Sequence, residues 1–153
     1  MIDTFTTTLR LLSFGVFVTS ASLSVRKWFP NASFDTHPRA PCQPPGWVFG
    51  VVWPVLYVFV GAAWALIDGS LRTDFLFSAL TLLCCSWLPV YIVWKEYVLS
   101  TFILIVCTYL TIAIIAVSEN SFKWLLGPFV CWVAFATYLS MYRAHQIFLL
   151  SPG

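Results

Sequence analysis

Tyr97 to Val117 reads YVLSTFILIVCTYLTIAIIAV and contains no charged side chain. At about 1.5 Å of rise per residue, such a run coiled as a helix crosses a hydrocarbon layer about 30 Å thick. A helix that is apolar on every side has no face for water, so lipid must solvate it. Working outward from it, residues 46–67, 75–94 and 122–142 form similar runs, the last broken only by Lys123. A fifth run, 5–25, carries Arg10 one to two turns inside, from where a long side chain snorkels to the headgroups. The expectation is an all-α, polytopic membrane protein: one domain, 1–153, built as a bundle of five transmembrane helices.

Composition agrees. The chain is 60% hydrophobic and only 9% charged, where a soluble domain carries about 25% charged residues. A net charge of +2, with no basic cluster larger than Arg26-Lys27, excludes a nucleic-acid partner and leaves membrane lipid as the surrounding partner. The five cysteines, Cys42, Cys84, Cys85, Cys107 and Cys131, lack metal-ligand spacing, and four lie in apolar runs, where a free thiol behaves as a small hydrophobe. No metal site and no disulfide framework is expected. Asp3 precedes the first apolar run and Arg26-Lys27 follows it, which suits a retained span better than a cleaved signal.

The connections differ in character. Lys95-Glu96 alone separates two spans, so those helices form a tight antiparallel pair. Residues 26–45 instead form a long loop with five prolines, too stiff for a helix and too long for a turn. With five spans, this loop, the 95–96 turn and the C-terminus share one side. That side carries Arg26, Lys27, Arg39, Lys95 and Arg143, against Arg10, Arg72 and Lys123 on the other. The bias places the loop and the C-terminus in the cytosol, where the Asn31-Ala32-Ser33 acceptor pattern reads as a chance match.

Aromatic residues form stripes. Gly50, Trp53, Tyr57, Gly61 and Trp64 step by three and four along the second span, and Gly46-xxx-Gly50 predicts close approach of another helix. Trp124, Pro128, Trp132, Ala136 and Leu139 form a similar stripe on the fifth span, and the third offers Trp87 and Trp94. Trp28, Trp94 and Trp124, near span ends, read as interfacial anchors. Trp53 and Trp132 lie about two turns deeper. Turned inward, they would line an aromatic pocket for a flat or fused-ring ligand.

Two segments carry a family resemblance. Arg39-Ala-Pro-Cys-Gln-Pro-Pro-Gly-Trp-Val-Phe-Gly-Val-Val-Trp53, followed by Leu56-Tyr57, resembles the segment opening the second helix of the TspO/MBR family. Leu126-Gly-Pro-Phe-Val-Cys-Trp-Val-Ala-Phe-Ala-Thr-Tyr-Leu139 resembles its last helix. The resemblance implies a five-helix bundle, a homodimer, with a pocket beneath the first loop that takes tetrapyrroles (porphyrin or haem) or sterols such as cholesterol. It assigns the pocket to Phe49, Trp53, Tyr57, Trp87, Trp132, Ala136 and Leu139. It also implies sensing, sequestration or transport, and a mitochondrial outer membrane or a bacterial envelope according to the host. No cofactor is required. Arg26, Lys27, His37 and Arg39 are the basic groups near enough to meet a porphyrin's propionates, with Trp47 beside them. Val133, Tyr138 and Arg143 satisfy a weak sterol-contact pattern.

The departures bear on chemistry. Cys42 stands where the family has Trp, Val51 replaces Pro, Ser140 replaces Asn, Cys84 falls where Asn is usual, and the stretch near Ile103 lacks an Asp. Groups that would orient a ligand are thereby depleted. His37 and His145 are far apart, and no nucleophile–base order or phosphate loop occurs. The one activity the resemblance implies is light-dependent porphyrin degradation, for which Trp47, Trp53 and Trp132 remain. The expectation leans to a binder rather than an enzyme, with a structural bundle as a third reading.

Overall fold

The computed structural model describes residues 4–28, 39–67 and 69–150. Its helices are α1 (Thr4–Trp28), α2 (Gly46–Leu66), α3 (Leu71–Leu88), α4 (Tyr97–Val117) and α5 (Gly127–Leu150). A π-helical turn, Pro89–Val93, prolongs α3, and a 3-10 turn, Ser121–Leu126, leads into α5. Five helices are long and apolar enough to cross a membrane, as the run lengths predict, and no strand occurs among the described residues. α1 packs on α2 and α3, α4 packs on α3 and α5, and α2 meets α5 and the 3-10 turn.

Two spans outrun their apolar cores. α3 begins at Leu71, ahead of the expected residue 75, because the Ser70 hydroxyl caps it by accepting from the Thr73 amide at 3.2 Å. Asp74 in its first turn complements the helix dipole. α5 continues to Leu150, past the expected residue 142. A helix need not stop where hydrocarbon ends; only its side chains must change.

The reversal between α3 and α4 is as tight as the sequence predicts. The Trp94 amide donates to the Pro89 carbonyl at 3.1 Å, and the Glu96 amide reaches back to the Val90 carbonyl at 3.1 Å. Lys95 closes the turn in the left-handed region (φ 58°). This six-residue closure satisfies carbonyls that lipid could not.

Polar side chains act as interhelical clasps. Arg10 donates to Asp74 Oδ2 at 2.8 Å, and the Trp64 indole N–H donates to Asp74 Oδ1 at 2.8 Å. Here the structure corrects the sequence expectation: Arg10, only 12% exposed in its side chain, turns into an ion pair joining α1 to α3 instead of snorkelling. Between α4 and α5, the Thr101 hydroxyl donates to the Tyr97 carbonyl (2.8 Å) and lies 2.9 Å from the Ser140 hydroxyl. Ser140 also approaches Ser100 (3.3 Å) and the Tyr97 carbonyl (3.2 Å). Gly50, in contrast, faces open space. Among the described residues, no helix makes the close approach that Gly46-xxx-Gly50 predicts there.

Candidate functional site

α2 and α3 turn their largest side chains toward each other in the half of the bundle nearest the 39–45 segment. Trp53, Tyr57 and Phe49 share the inner face of α2 because they step by four, and all are buried. Trp53 is the hub. Its ring lies 4.9 Å from that of Trp87, 5.5 Å from Tyr57, and 6.3 Å from both Phe129 and Trp132. Phe49 meets Trp132 at 5.6 Å, and Phe14 of α1 reaches Tyr57 at 5.8 Å. From Trp87 the chain of rings continues through Tyr91 (5.6 Å) to Tyr97 (5.2 Å), over which the Arg143 guanidinium sits at 5.7 Å. Tilted and edge-on contacts of this kind add about 0.5–1.5 kcal/mol each beyond burial.

The rings fill the space they enclose. A cavity lined by Trp53, Tyr57, Cys84, Trp87, Leu104, Cys107 and Val133 comprises about 200 Å³ of non-atom space, open solvent included, and none of it is wide enough for a water molecule. Pockets for drug-sized ligands measure about 300–1,000 Å³. A tetrapyrrole or sterol therefore enters only if the helices part or the rings rotate. The buried indole N–H groups of Trp53 and Trp132 have no acceptor. An unsatisfied buried donor costs about 1–3 kcal/mol.

The residues assigned to the pocket come together unevenly. Phe49, Trp53, Tyr57, Trp87 and Trp132 form one ring cluster. Ala136 and Leu139 are buried on α5 but do not line the cavity. The stripe expected on α5 is rotated: Trp124 and Pro128 face outward, while Phe129 and Val133 point in. Trp47 belongs to the first turn of α2 and is 70% exposed, facing away from the cluster. Lys27 and Arg39 are exposed near the loop end. The Arg26 side chain and His37 lie outside the described residues. The sterol pattern does not form one surface, since Val133 lines the cavity and Tyr138 faces outward.

Leu104, Cys107 and Phe129 join the site without having been singled out, and Cys84, noted above only as a departure from the family pattern, lines the cavity. A cysteine or leucine in an apolar run looks the same whether it faces lipid or a cavity. Among the described residues no group of three or more His, Cys, Asp or Glu side chains could hold a metal ion.

A family model described as the TspO/MBR family matches residues 6–145. No curated protein matches the chain.

Proposed function

The chain belongs to the TspO/MBR family of multi-pass membrane proteins, and from that premise we propose that it binds a flat, largely apolar ligand in the Trp53 cluster. The ligand class is a tetrapyrrole such as protoporphyrin or haem, or a fused-ring sterol such as cholesterol. Sensing, sequestering or moving that ligand is then its role in the membrane.

One observation carries this reading. Trp53 is 94% buried at the centre of four aromatic neighbours, yet its N–H has no acceptor. A structural core would gain by replacing that donor with carbon; a binding site uses it. A ligand with acceptor atoms would satisfy the Trp53 and Trp132 donors and stack on their rings. The closed cavity is then the resting state. Opening it lowers apparent affinity by the fraction of open molecules.

A tetrapyrrole fits better than a sterol, because its dicarboxylate edge would meet Lys27 and Arg39 at the loop end. Charge reversal Arg39→Glu is expected to weaken protoporphyrin binding several-fold and leave cholesterol binding unchanged, as read by titration of the purified protein in lipid. Equal loss for both ligands would contradict charge recognition. Binding is proposed without efficient photochemical breakdown, because the cluster lacks polar side chains to orient a substrate and reaction rates fall steeply with misplacement. Rapid bleaching of bound protoporphyrin to a defined product, lost in Trp53→Phe/Trp132→Phe, would make the protein an enzyme.

A further inference from the structure

The inward stripe of α5 ends in a cation. Trp132, Ala136, Leu139 and Arg143 step by four, three and four, so they share one helix face. Ala136 and Leu139 are buried on it, and Arg143 is half-buried. Eleven residues of helix put Arg143 about 16 Å beyond Trp132, at the loop end of the bundle. Side chains of a helix lean toward its N-terminus, which for Arg143 is the direction of the ring cluster.

The same cation stands at the end of a track of rings. Three steps, none longer than 5.6 Å, lead from Trp53 through Trp87 and Tyr91 to Tyr97. The Arg143 guanidinium lies 5.7 Å from the centre of the Tyr97 ring, and Tyr97 is 8% exposed. Hydroxyls fix this pairing. Ser140, three residues before Arg143, donates to the Tyr97 carbonyl at 3.2 Å and lies 2.9 Å from the Thr101 hydroxyl. The first turn of α4 is thereby pinned to the turn of α5 that carries the arginine. A guanidinium held against a ring keeps its charge, and its planar fork of donors matches a carboxylate.

Arginine at the end of a span also has a plain topological use, as one of the positive-inside charges. That use asks only that the side chain reach the headgroups, which an outward position serves best. Arg143 instead shares a face with Trp132 and a ring with buried Tyr97, and not with outward-facing Tyr138 of the sterol pattern.

We propose that Arg143 is the carboxylate-recognising residue of the pocket, so that the ring track takes a planar apolar acid in preference to a neutral fused-ring molecule. One carboxylate pairs with the guanidinium fork while the planar body lies among Trp53, Trp87 and Trp132. Lys27 and Arg39 remain for the second carboxylate of a tetrapyrrole. Tyr97 is a positioning residue that holds the guanidinium at the mouth. The assignment rests on the ligand-pocket reading.

The full-length protein in lipid bilayers would be titrated with protoporphyrin and with its dimethyl ester, which keeps the ring and lacks the carboxylates. Each variant is compared with wild type for the same ligand, so the two ligands' different partition into lipid cancels. Arg143→Gln is expected to weaken protoporphyrin binding about tenfold, as loss of a charge-assisted hydrogen bond does, and to leave ester binding unchanged. Arg143→Lys, which keeps the charge but not the fork, is expected to recover part of the loss. Tyr97→Leu is expected to erode the same preference for acid over ester, and Tyr97→Phe, which keeps the ring, to preserve it. Equal loss of both ligands in Arg143→Gln would give the residue a merely structural role and overturn the proposal. An unchanged acid affinity overturns it too, as does Arg143→Lys binding no better than Arg143→Gln. If the folded wild-type protein binds neither ligand, the pocket reading itself fails, a result distinct from any of these because they all require binding by wild type.

Discussion

Gly69 shows how tightly a single position is specified. A Cβ built there would collide with the Arg10 guanidinium, which Asp74 holds in place. A lone arginine in a span is costly, whereas one paired and hydrogen-bonded is tolerated. Gly69→Ala must therefore push the guanidinium off Asp74 and leave a carboxylate bonded only to Trp64. It is expected to destabilise the protein by about 1–3 kcal/mol, the range for losing a charge-assisted hydrogen bond. Unfolding in detergent of Gly69→Ala, with and without Arg10→Ala, checks it. The glycine substitution should be nearly neutral once Arg10 is gone; an undiminished cost would refute the collision as cause.

At the scale of elements, the turn after α3 carries a similar specification. Lys95 occupies the left-handed region, which costs a non-glycine residue about 1 kcal/mol or more. Lys95→Gly is expected to be neutral or stabilising by up to about 1 kcal/mol, and Lys95→Val clearly destabilising. Thermal unfolding that ranks glycine below valine would contradict the turn geometry. The helices themselves were legible because run length is a one-dimensional property, and only lipid solvates such runs. The phase of α5 was not. Of the expected stripe, Trp132, Ala136 and Leu139 turn inward, while Trp124 and Pro128 give way to Phe129 and Val133. In lipid both faces of a helix are apolar, so hydrophobicity does not mark the inner one. The 3-10 turn Ser121–Leu126 also winds more tightly than an α-helix and shifts the register entering α5. Of the site, Trp53 and Trp132 were legible as large side chains too deep for the interface, and Phe49, Tyr57 and Trp87 through the family resemblance. The thiols, the Arg10–Asp74 pair and the closure of the cavity depend on contacts distant in sequence, and no local pattern records them.

For the whole molecule, alternation of five spans puts Lys27, Arg39, Lys95 and Arg143 at one end and Arg10, Arg72 and Lys123 at the other. Exposed Cys42 belongs to the first end. By the positive-inside bias, a membrane-impermeant maleimide should label Cys42 from the cytosolic face only, with Cys42→Ser as control; labelling from the opposite face alone would reverse the orientation. The central claim is that a ligand enters the collapsed ring cluster rather than adhering to the lipid-facing surface. The direct measurement is protoporphyrin affinity, by saturable quenching of tryptophan fluorescence, for Trp53→Ala and Trp132→Ala beside Trp94→Ala and Trp124→Ala, whose rings face outward. Each inward substitution should weaken binding by at least about 1 kcal/mol, and neither outward one should change it. Folded inward variants that bind like wild type, or losses confined to the outward pair, would contradict the assignment of the site.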